Sequence, residues 1–336
     1  MSSNLNKKLH PGVSVVVCCY NSSDVIAYTM KALRDQDVPR DINYEVILVD
    51  NNCTDPTVKF AKSIWGDYFY PLRIVKEKKP GLIHARKTGV LQSRYDILLF
   101  VDDDNILNPD WVRKLYHLFN RMPKVVAIGG NNKPLFQGMK PNWFDDYKYV
   151  YACGPRDIRT GLNPKKIFGS GVAFRTQVLK SVLFSDLPLF LVGRERNILT
   201  RGEDTEISLR CLLEGWNFYY DSALKLNHYL LAKRVTWDYV CQARKGGGVA
   251  GIVLIIYRKL LNNREQLCFK KLLFRVLKQW IRYFLQYRSK CFQIKKEGSS
   301  CSFQFFRLYG MSKGLLLYRK TYANMQGQII EFYNRK

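Results

Sequence analysis

Five consecutive apolar residues, Ile97 to Val101, run without a polar break into three carboxylates, Asp102, Asp103 and Asp104. An apolar run without alternation reads as a strand buried on both faces, as in a parallel sheet. In such sheets ligands bind in the crevice beyond the carboxyl ends of the strands. Three acids there concentrate negative charge that a cation can share. A hard ion such as Mg²⁺ or Mn²⁺ takes one or two carboxylates and completes its shell with water and substrate phosphates. Taken alone, the triplet reads equally well as a solvated acidic turn before the helix that Asn108, Pro109 and Asp110 open.

Similar runs recur along the chain. Val13–Cys19 is a first strand, closed by Tyr20–Ser23, with Ser23 or Asp24 placed to cap a helix over about 25–35. Tyr44–Val49 is a second strand, ending in Asp50, Asn51, Asn52, Cys53, Thr54 and Asp55, and Pro56 opens a helix over 59–65. A shorter strand at 72–76, a helix at 82–93 and the acidic strand follow. Beyond them the pattern predicts a helix at 110–120, a strand at 125–128 and an aromatic-rich irregular stretch at 133–166. A glycine-rich strand at 168–174, a helix at 205–213 ended by Gly215, and two strands, 216–220 and one ending at His228, complete it. Strands alternating with helices argue for an α/β fold, a Rossmann-like, mostly parallel sheet with helices on both faces. No GxGxxG follows the first strand, which disfavours a nicotinamide or flavin enzyme, and no GxxxxGK[ST] is present for a P-loop.

The 336 residues suit one large or two modest domains, with a formal net charge of +26 unevenly placed. From Ala232 onward the chain carries 22 Lys and Arg against four acids. Such a region implies an acidic partner: nucleic acid, anionic lipid or a phosphorylated substrate. We place a domain boundary there, with an α/β domain at 1–231 (halves at about 13–130 and 131–231) and a basic, mainly helical region at 232–336. The nine cysteines show no zinc spacing, so free thiols in a reducing compartment are expected. The first residues, MSSNLNKKLHPG, lack the apolar run of a signal peptide. The longest apolar-plus-glycine run, Gly246–Tyr257, is shorter than the ~20 residues a spanning helix needs.

Six ordered stretches, VSVVVCCYNSSDVI, EVILVDNNCTD, KKPGLIHARKTG, ILLFVDDDN, GSGVAF and GEDTEISLRCLLEGW, resemble the family 2 glycosyltransferases of the GT-A fold. The resemblance covers about Val13 to Arg234. It implies sugar transfer from a nucleotide-diphosphate donor to an acceptor hydroxyl, with inversion at the anomeric carbon and a divalent metal, Mg²⁺ or Mn²⁺. On this resemblance Tyr20 and Asn21 hold the nucleoside, Asp50 contacts the base, and Asn52 and Asp55 share its loop. Arg86 and Gly89 fall in the ARNxG element, where Lys87 replaces the asparagine. Asp102 and Asp104 are the outer residues of the DxD element. Asp104 is the direct metal ligand, and Asp102 and Asp103 meet the ribose or coordinated water. Asp204 matches the catalytic base, because a sugar hydroxyl needs a positioned group to take its proton. Glu203 reads either as holding the acceptor or as a first-turn helix acid. Apart from the resemblance, Trp143 and the turn Gly169, Ser170 and Gly171 read as lining the acceptor side, where glycine lets backbone approach a sugar closely. His228 matches a metal- or diphosphate-reaching histidine and Arg234 a phosphate-binding arginine. Cys53 reads as a packed thiol, and His10 and His84 as structural. Without the resemblance, Asp204 reads as an acid favoured at a helix N-terminus.

In the basic region, Leu273, Leu277, Trp280 and Phe284 follow helical spacing, and Lys271, Arg275, Lys278 and Arg282 do so on another face. That pattern fits a helix in a membrane interface, and equally one packed on the protein with its charges in water. Gly246–Tyr257 likewise reads as an interfacial insertion or a buried helix. The resulting expectation is a UDP-sugar transferase acting on a glycan or lipid-linked acceptor in surface polysaccharide or glycolipid assembly. It would be cytoplasmic and peripheral at the inner face of the plasma membrane, on an anionic surface. A nucleic-acid-binding protein is the rival that the charge suggests, weakened by the acidic strand ends and by the lack of RRM, KH or zinc patterns. A nucleotidyltransferase on the same fold is the third reading.

Overall fold

A computed structural model describes residues 8–154, 159–163, 169–195, 198–199, 201–289 and 296–334. Residues 1–7, on which the signal-peptide expectation rests, and Phe168, the first residue of the glycine-rich strand, lie outside the described residues. The chain divides into two compact units. The first takes in the chain up to Gln137, Ala152–Phe184 and Gly215–Leu231. The second takes in Gly138–Tyr151, Ser185–Glu214 and the chain from Ala232 onward. The 231/232 junction read from charge is one of the cut points, while 138–151 and 185–214 group with the basic helices.

In chain order the first unit begins β1 (His10–Cys19), α1 (Ile26–Arg34), β2 (Tyr44–Asp50), α2 (Thr57–Trp65), β3 (Leu72–Lys76) and α3 (Leu82–Gln92). It continues β4 (Tyr95–Asp102), β5 (Asn105–Leu107), α4 (Trp111–Arg121) and β6 (Val125–Phe136). After α5 (Phe144–Tyr147) of the second unit come β7 (Gly161–Leu162), β8 (Val172–Arg175) and α6 (Thr176–Leu183). The second unit resumes with β9 (Arg194–Glu195), β10 (Ile198–Leu199) and α7 (Glu203–Leu213); β11 (Asn217–Leu230) returns to the first. The helices α8 (Trp237–Leu261), α9 (Phe269–Tyr287), α10 (Ser300–Tyr318) and α11 (Tyr322–Asn334) complete the second unit.

Among the described residues the main sheet has nine strands, in the order β3-β2-β1-β4-β8-β6-β11-β5, with β7 on β11. The half β3-β2-β1-β4 is wholly parallel. These are the strands the apolar runs marked, and Val15, Val16, Val17, Val46, Ile47, Leu48, Leu98 and Leu99 in them are fully buried. The other half is mixed, because β8, β5 and β7 run antiparallel to their neighbours. These three strands, of four, three and two residues, are too short to show the unbroken apolar run that marked the parallel half. The two strands expected at 216–220 and before His228 are one, β11, whose pairing with β6 shifts register between Asp221 and Lys225. Neither Ser23 nor Asp24 caps α1, which has no side-chain cap; the Ser22 carbonyl accepts from the amides of Val25 and Ile26 instead. Gly215, at φ 82°, ends α7 as expected.

The second unit is organised on a buried polar knot. Glu206 of α7 accepts from the Phe190 and Leu191 amides (3.1 and 2.8 Å), the Arg210 guanidinium (2.8 Å) and the Tyr257 hydroxyl of α8 (2.8 Å). Arg210 also donates to the Leu187 carbonyl. These bonds hold 185–214 onto α8, together with apolar packing of Leu187, Leu191 and Leu209 on Val253, Leu254 and Tyr257. The Gly246–Tyr257 run is therefore a buried helix segment. Glycine lets α8 and α10 touch backbone to backbone: a Cβ on Gly248 would lie 2.3 Å from the Arg307 carbonyl oxygen, and one on Gly310 2.0 Å from that of Lys245. In α9 the buried face is Leu272, Val276, Tyr283 and Tyr287; of the expected stripe Leu273, Leu277 and Phe284 are exposed, while Trp280 is partly buried and donates to the Ser312 hydroxyl of α10. No described helix is long and apolar enough to cross a membrane.

Removing one partner from a buried ion pair costs about 3–5 kcal/mol, because the other charge stays buried and uncompensated. Glu206→Ala is expected to lower the unfolding free energy by that amount, and Tyr257→Phe by about 1 kcal/mol. Urea denaturation followed by circular dichroism measures both.

Candidate active site

Strand register sets the position of the acids. Parallel pairing puts Cys19 opposite Asp50 and Cys18 opposite Asp102, so β2, β1 and β4 end level on one rim. Tyr20, 63% exposed, leaves β1 there, and Asn21 follows at φ 50°. Burial pushes the Cys18 thiol up to about 12, even with the Arg86 guanidinium pulling the other way, so it carries no nucleophilic thiolate.

The loops beyond the rim are laced together by side chains. Asn21 Oδ1 accepts from the Thr54 amide (2.8 Å), and Asp50 Oδ1 accepts from the Cys53 amide (2.8 Å). Asn52 Nδ2 donates to the Glu77 and Lys78 carbonyls. The buried Asn51 ties the loop after β3, accepting from the Gly81 amide and donating to the Glu77 and Lys79 carbonyls. Asp55 accepts from the Ser23 amide and from both the amide and hydroxyl of Thr57. Its partial burial raises its pKa, but the Thr57 and Ser23 hydrogen bonds outweigh that and hold the carboxyl down at about 2. Cys53 is a packed thiol, its sulfur 3.8 Å from that of Cys19.

The three acids after β4 diverge. Asp102 stays partly open, its side chain 35% exposed, with the buried Arg86 guanidinium 3.9 Å away over the Phe100 ring. Asp103 turns to α1, accepting from the Ser22 hydroxyl while its carbonyl takes the Thr29 hydroxyl. Asp104 is buried. Its Oδ1 lies 3.2 Å from His228 Nε2 of β11 and accepts from Asn105 Nδ2 (3.1 Å), and its carbonyl accepts from the Tyr229 amide. Burial by itself lowers the pKa of His228, but the Asp104 carboxylate beside it reverses this and raises it well above the ordinary histidine value. Ring and carboxylate thus lie buried within ion-pair distance of one another. Behind the ring, the Cys153 sulfur is 3.9 Å from Nδ1. Asn105 is the hub of the turn: its Oδ1 also accepts from the Asp102 amide and the Ser170 hydroxyl. Gly171, at φ 69°, leaves no room for a side chain, since a Cβ would meet Leu226 at 2.4 Å. Gly169 begins the same turn, partly buried.

Gly89 lies within α3, where a Cβ would sit 2.3 Å from Val16 Cγ1, so it serves helix–sheet packing. Four expected residues belong to the second unit. Glu203 and Asp204 open α7; Glu203 is buried beside Gly193, and the Asp204 carbonyl accepts from the Ser208 hydroxyl. Trp143 packs edge-on to Trp237, and Arg234 lies over the Tyr239 ring, donating to its hydroxyl. The structure thus gathers Tyr20, Asn21, Asp50, Asn52, Asp55, Arg86, Asp102, Asp103, Asp104, Ser170 and His228 in the first unit. Asn51, Asn105, Ser22, Thr29 and Cys153 were not singled out from the sequence. The only signal for Asn105 was its place directly after the acidic triplet.

Among the described residues no group of three or more His, Cys, Asp or Glu is arranged to hold a metal. The donor types at the rim nevertheless fit a hard divalent ion. Asp104 Oδ1 and His228 Nε2 lie 3.2 Å apart and Asp102 stands two residues away, so the carboxylates and an imidazole that gives up its proton could hold an ion that takes its remaining ligands from phosphates.

The family model described as Glycosyl transferase family 2 matches residues 14–182. The glucosyl-dolichyl phosphate glucuronosyltransferase of Haloferax volcanii is 24% identical over 237 residues, covering 68% of this chain and 72% of that one. The chain spans 34%, 24% and 37% of the lengths of three further curated relatives. The crystal structure of S. aureus TarS 1-349 in complex with UDP-GlcNAc is 16% identical, with a TM-score of 0.50, covering 96% of this chain and 89% of that one. GalNAc-T7 with UDP, GalNAc and Mn²⁺ also has a TM-score of 0.50, at 15% identity, covering 74% of this chain and 51% of that one. At these identities the structural likeness carries the GT-A fold alone.

Two outcomes follow from the geometry. His228→Ala is expected to cost about 3–5 kcal/mol of stability, and the double variant with Asp104→Ala less than the two single losses together. Urea unfolding of the four proteins completes that cycle. For Asp55 the folded pKa lies below the unfolded one, so its stabilisation is full above about pH 4 and is lost as the pH falls towards about 2. Asp55→Asn should therefore be less stable at neutral pH and show a shallower acid limb in urea midpoints measured across that window.

Proposed function

Because this chain belongs to glycosyl transferase family 2, we propose that it moves a sugar from a nucleotide-diphosphate donor, a UDP-sugar first, to a hydroxyl of a glycan or lipid-linked saccharide. The reaction serves cell-surface polysaccharide or glycolipid assembly. The observation that carries this reading is the buried Asp104–His228 pair on the rim where β1, β2 and β4 end level. Asp50 and the loops laced by Asn21, Asn52 and Asp55 receive the nucleoside beside Tyr20. Arg86 sets the Asp102 carboxylate, with Asp103 held by Ser22 alongside. TarS in complex with UDP-GlcNAc, similar over nearly the whole chain, supports a UDP-linked donor.

Asp104, His228 and Asp102 would hold the divalent ion, which when bound supplies positive charge to the departing diphosphate. GalNAc-T7, whose structure contains Mn²⁺, supports that choice. Asp204 accepts the acceptor hydroxyl proton as that oxygen bonds to the anomeric carbon and the bond to the diphosphate breaks on the opposite side. One such displacement inverts the carbon. Glu203 and Trp143 belong to the acceptor side, with the Gly169–Gly171 turn, and Arg234 to the phosphates. The charge excess from Ala232 onward supports work at an anionic membrane surface, peripheral at the cytoplasmic face.

Nucleotide release from UDP-, GDP- and dTDP-sugars, with Mg²⁺, Mn²⁺ or EDTA, tests this reading. Release is expected from a UDP-sugar, dependent on metal and lost in Asp104→Ala. Asp204→Asn should lower kcat by about 10²–10⁴-fold with donor KM little changed, since a general base contributes on that order. Pyrophosphate release from a nucleoside triphosphate, or a full rate in Asp204→Asn, would overturn the assignment.

A further inference from the structure

The circumference of α9 is divided three ways. One face is packed: Leu272 and Val276 belong to the core with α8 and α11, and Tyr283 and Tyr287 to a cluster with Cys301 and Leu308 of α10. A second face carries Lys271, Arg275, Lys278 and Arg282 at one-turn spacing, and with Arg307 of α10 they line a groove of about 660 Å³. The third carries Leu273, Phe274, Leu277, Ile281, Phe284 and Leu285, which are 41–68% exposed. Single exposed apolar residues are ordinary, but a continuous stripe of six large ones marks a surface that meets something apolar. No Asp or Glu occurs within α9, and the acid paired with Lys271, Glu265, lies before the helix begins.

We propose that α9 is the element that seats this protein on an anionic phospholipid leaflet. The apolar stripe lies at the acyl boundary, and the α9–α10 groove takes lipid phosphates. This deepens the membrane-surface reading above and rests on it. The two exposed faces match the two layers of such a leaflet, apolar below and negatively charged above, which is the chemistry of a helix lying in the interface plane. The Lys278 ammonium already rests 4.7 Å from the Phe274 ring centroid, where the basic row meets the apolar stripe. A nucleic acid would engage the basic row yet leave Leu277, Ile281 and Leu285 in water, so the lipid surface accounts for more of the helix.

The test is co-sedimentation of the full chain with phosphatidylcholine vesicles, with and without phosphatidylglycerol, across a salt series. Duplex DNA and single-stranded RNA are measured in parallel. Wild type is expected to bind the phosphatidylglycerol vesicles, less so as salt rises, and phosphatidylcholine alone weakly. Leu277→Glu/Ile281→Glu and Lys278→Glu/Arg282→Glu should each weaken binding by about tenfold or more. All four side chains are exposed, so melting curves should match wild type, and nucleotide release without vesicles should be unchanged in both variants. That release assay tests the transferase reading separately. Vesicle binding unchanged in both variants would overturn α9 as the seat and leave the membrane reading standing. No vesicle binding by wild type would overturn both. Nucleic-acid binding lost in Lys278→Glu/Arg282→Glu, without vesicle binding, would assign the basic row to a polyanion and end the proposal.

Discussion

Everything at the candidate site depends on the register in which β1 lies between β2 and β4. Parallel strands sharing a register end level, and Cys19 facing Asp50 and Cys18 facing Asp102 set two acids from distant parts of the chain on one rim. A one-residue slip would move each buried side chain to the opposite face of the sheet and each acid to the other side of its strand. The fully buried valines and leucines of these strands hold the register, and the core thereby fixes the chemistry at its edge.

Both units keep a carboxylate inside and pair it. In the first, Asp104 meets His228 across from β5 to β11; in the second, Glu206 meets Arg210 and Tyr257 between α7 and α8. The second knot is saturated, with backbone amides, a guanidinium and a hydroxyl all aimed at one carboxylate. That is what a purely structural buried ion needs. The Asp104–His228 contact is an ion pair without an aligned hydrogen bond at Nε2.

The acidic triplet, the loop acids and the helix opened by Glu203 were legible because each ends an apolar run or opens a periodic one. What the triplet did not disclose is that its members part company. Asp102 stays partly exposed beside Arg86, Asp103 turns to α1 and Asp104 is buried. Asn51 and Asn105 looked like ordinary turn residues, yet they carry the hydrogen bonds that shape the loops. A hydrogen-bonding hub has no period and no composition; it exists only where the turns meet.

The sequence by itself determined the class of fold, the parallel half of the sheet, the acidic rim and the basic character of the chain after Ala232. Local patterns of apolar and charged residues suffice for those. Only the tertiary structure decided the direction of β5, β7 and β8, the single bent strand β11, and the grouping of 185–214 with the C-terminal helices. It also decided which stripe of α9 is packed. Helical spacing marked Leu273, Leu277 and Phe284 as a face, but Leu272, Val276 and Tyr283 meet the neighbouring helices. Periodicity states that an apolar face exists, and contact with α8 and α10 selects the one that is buried.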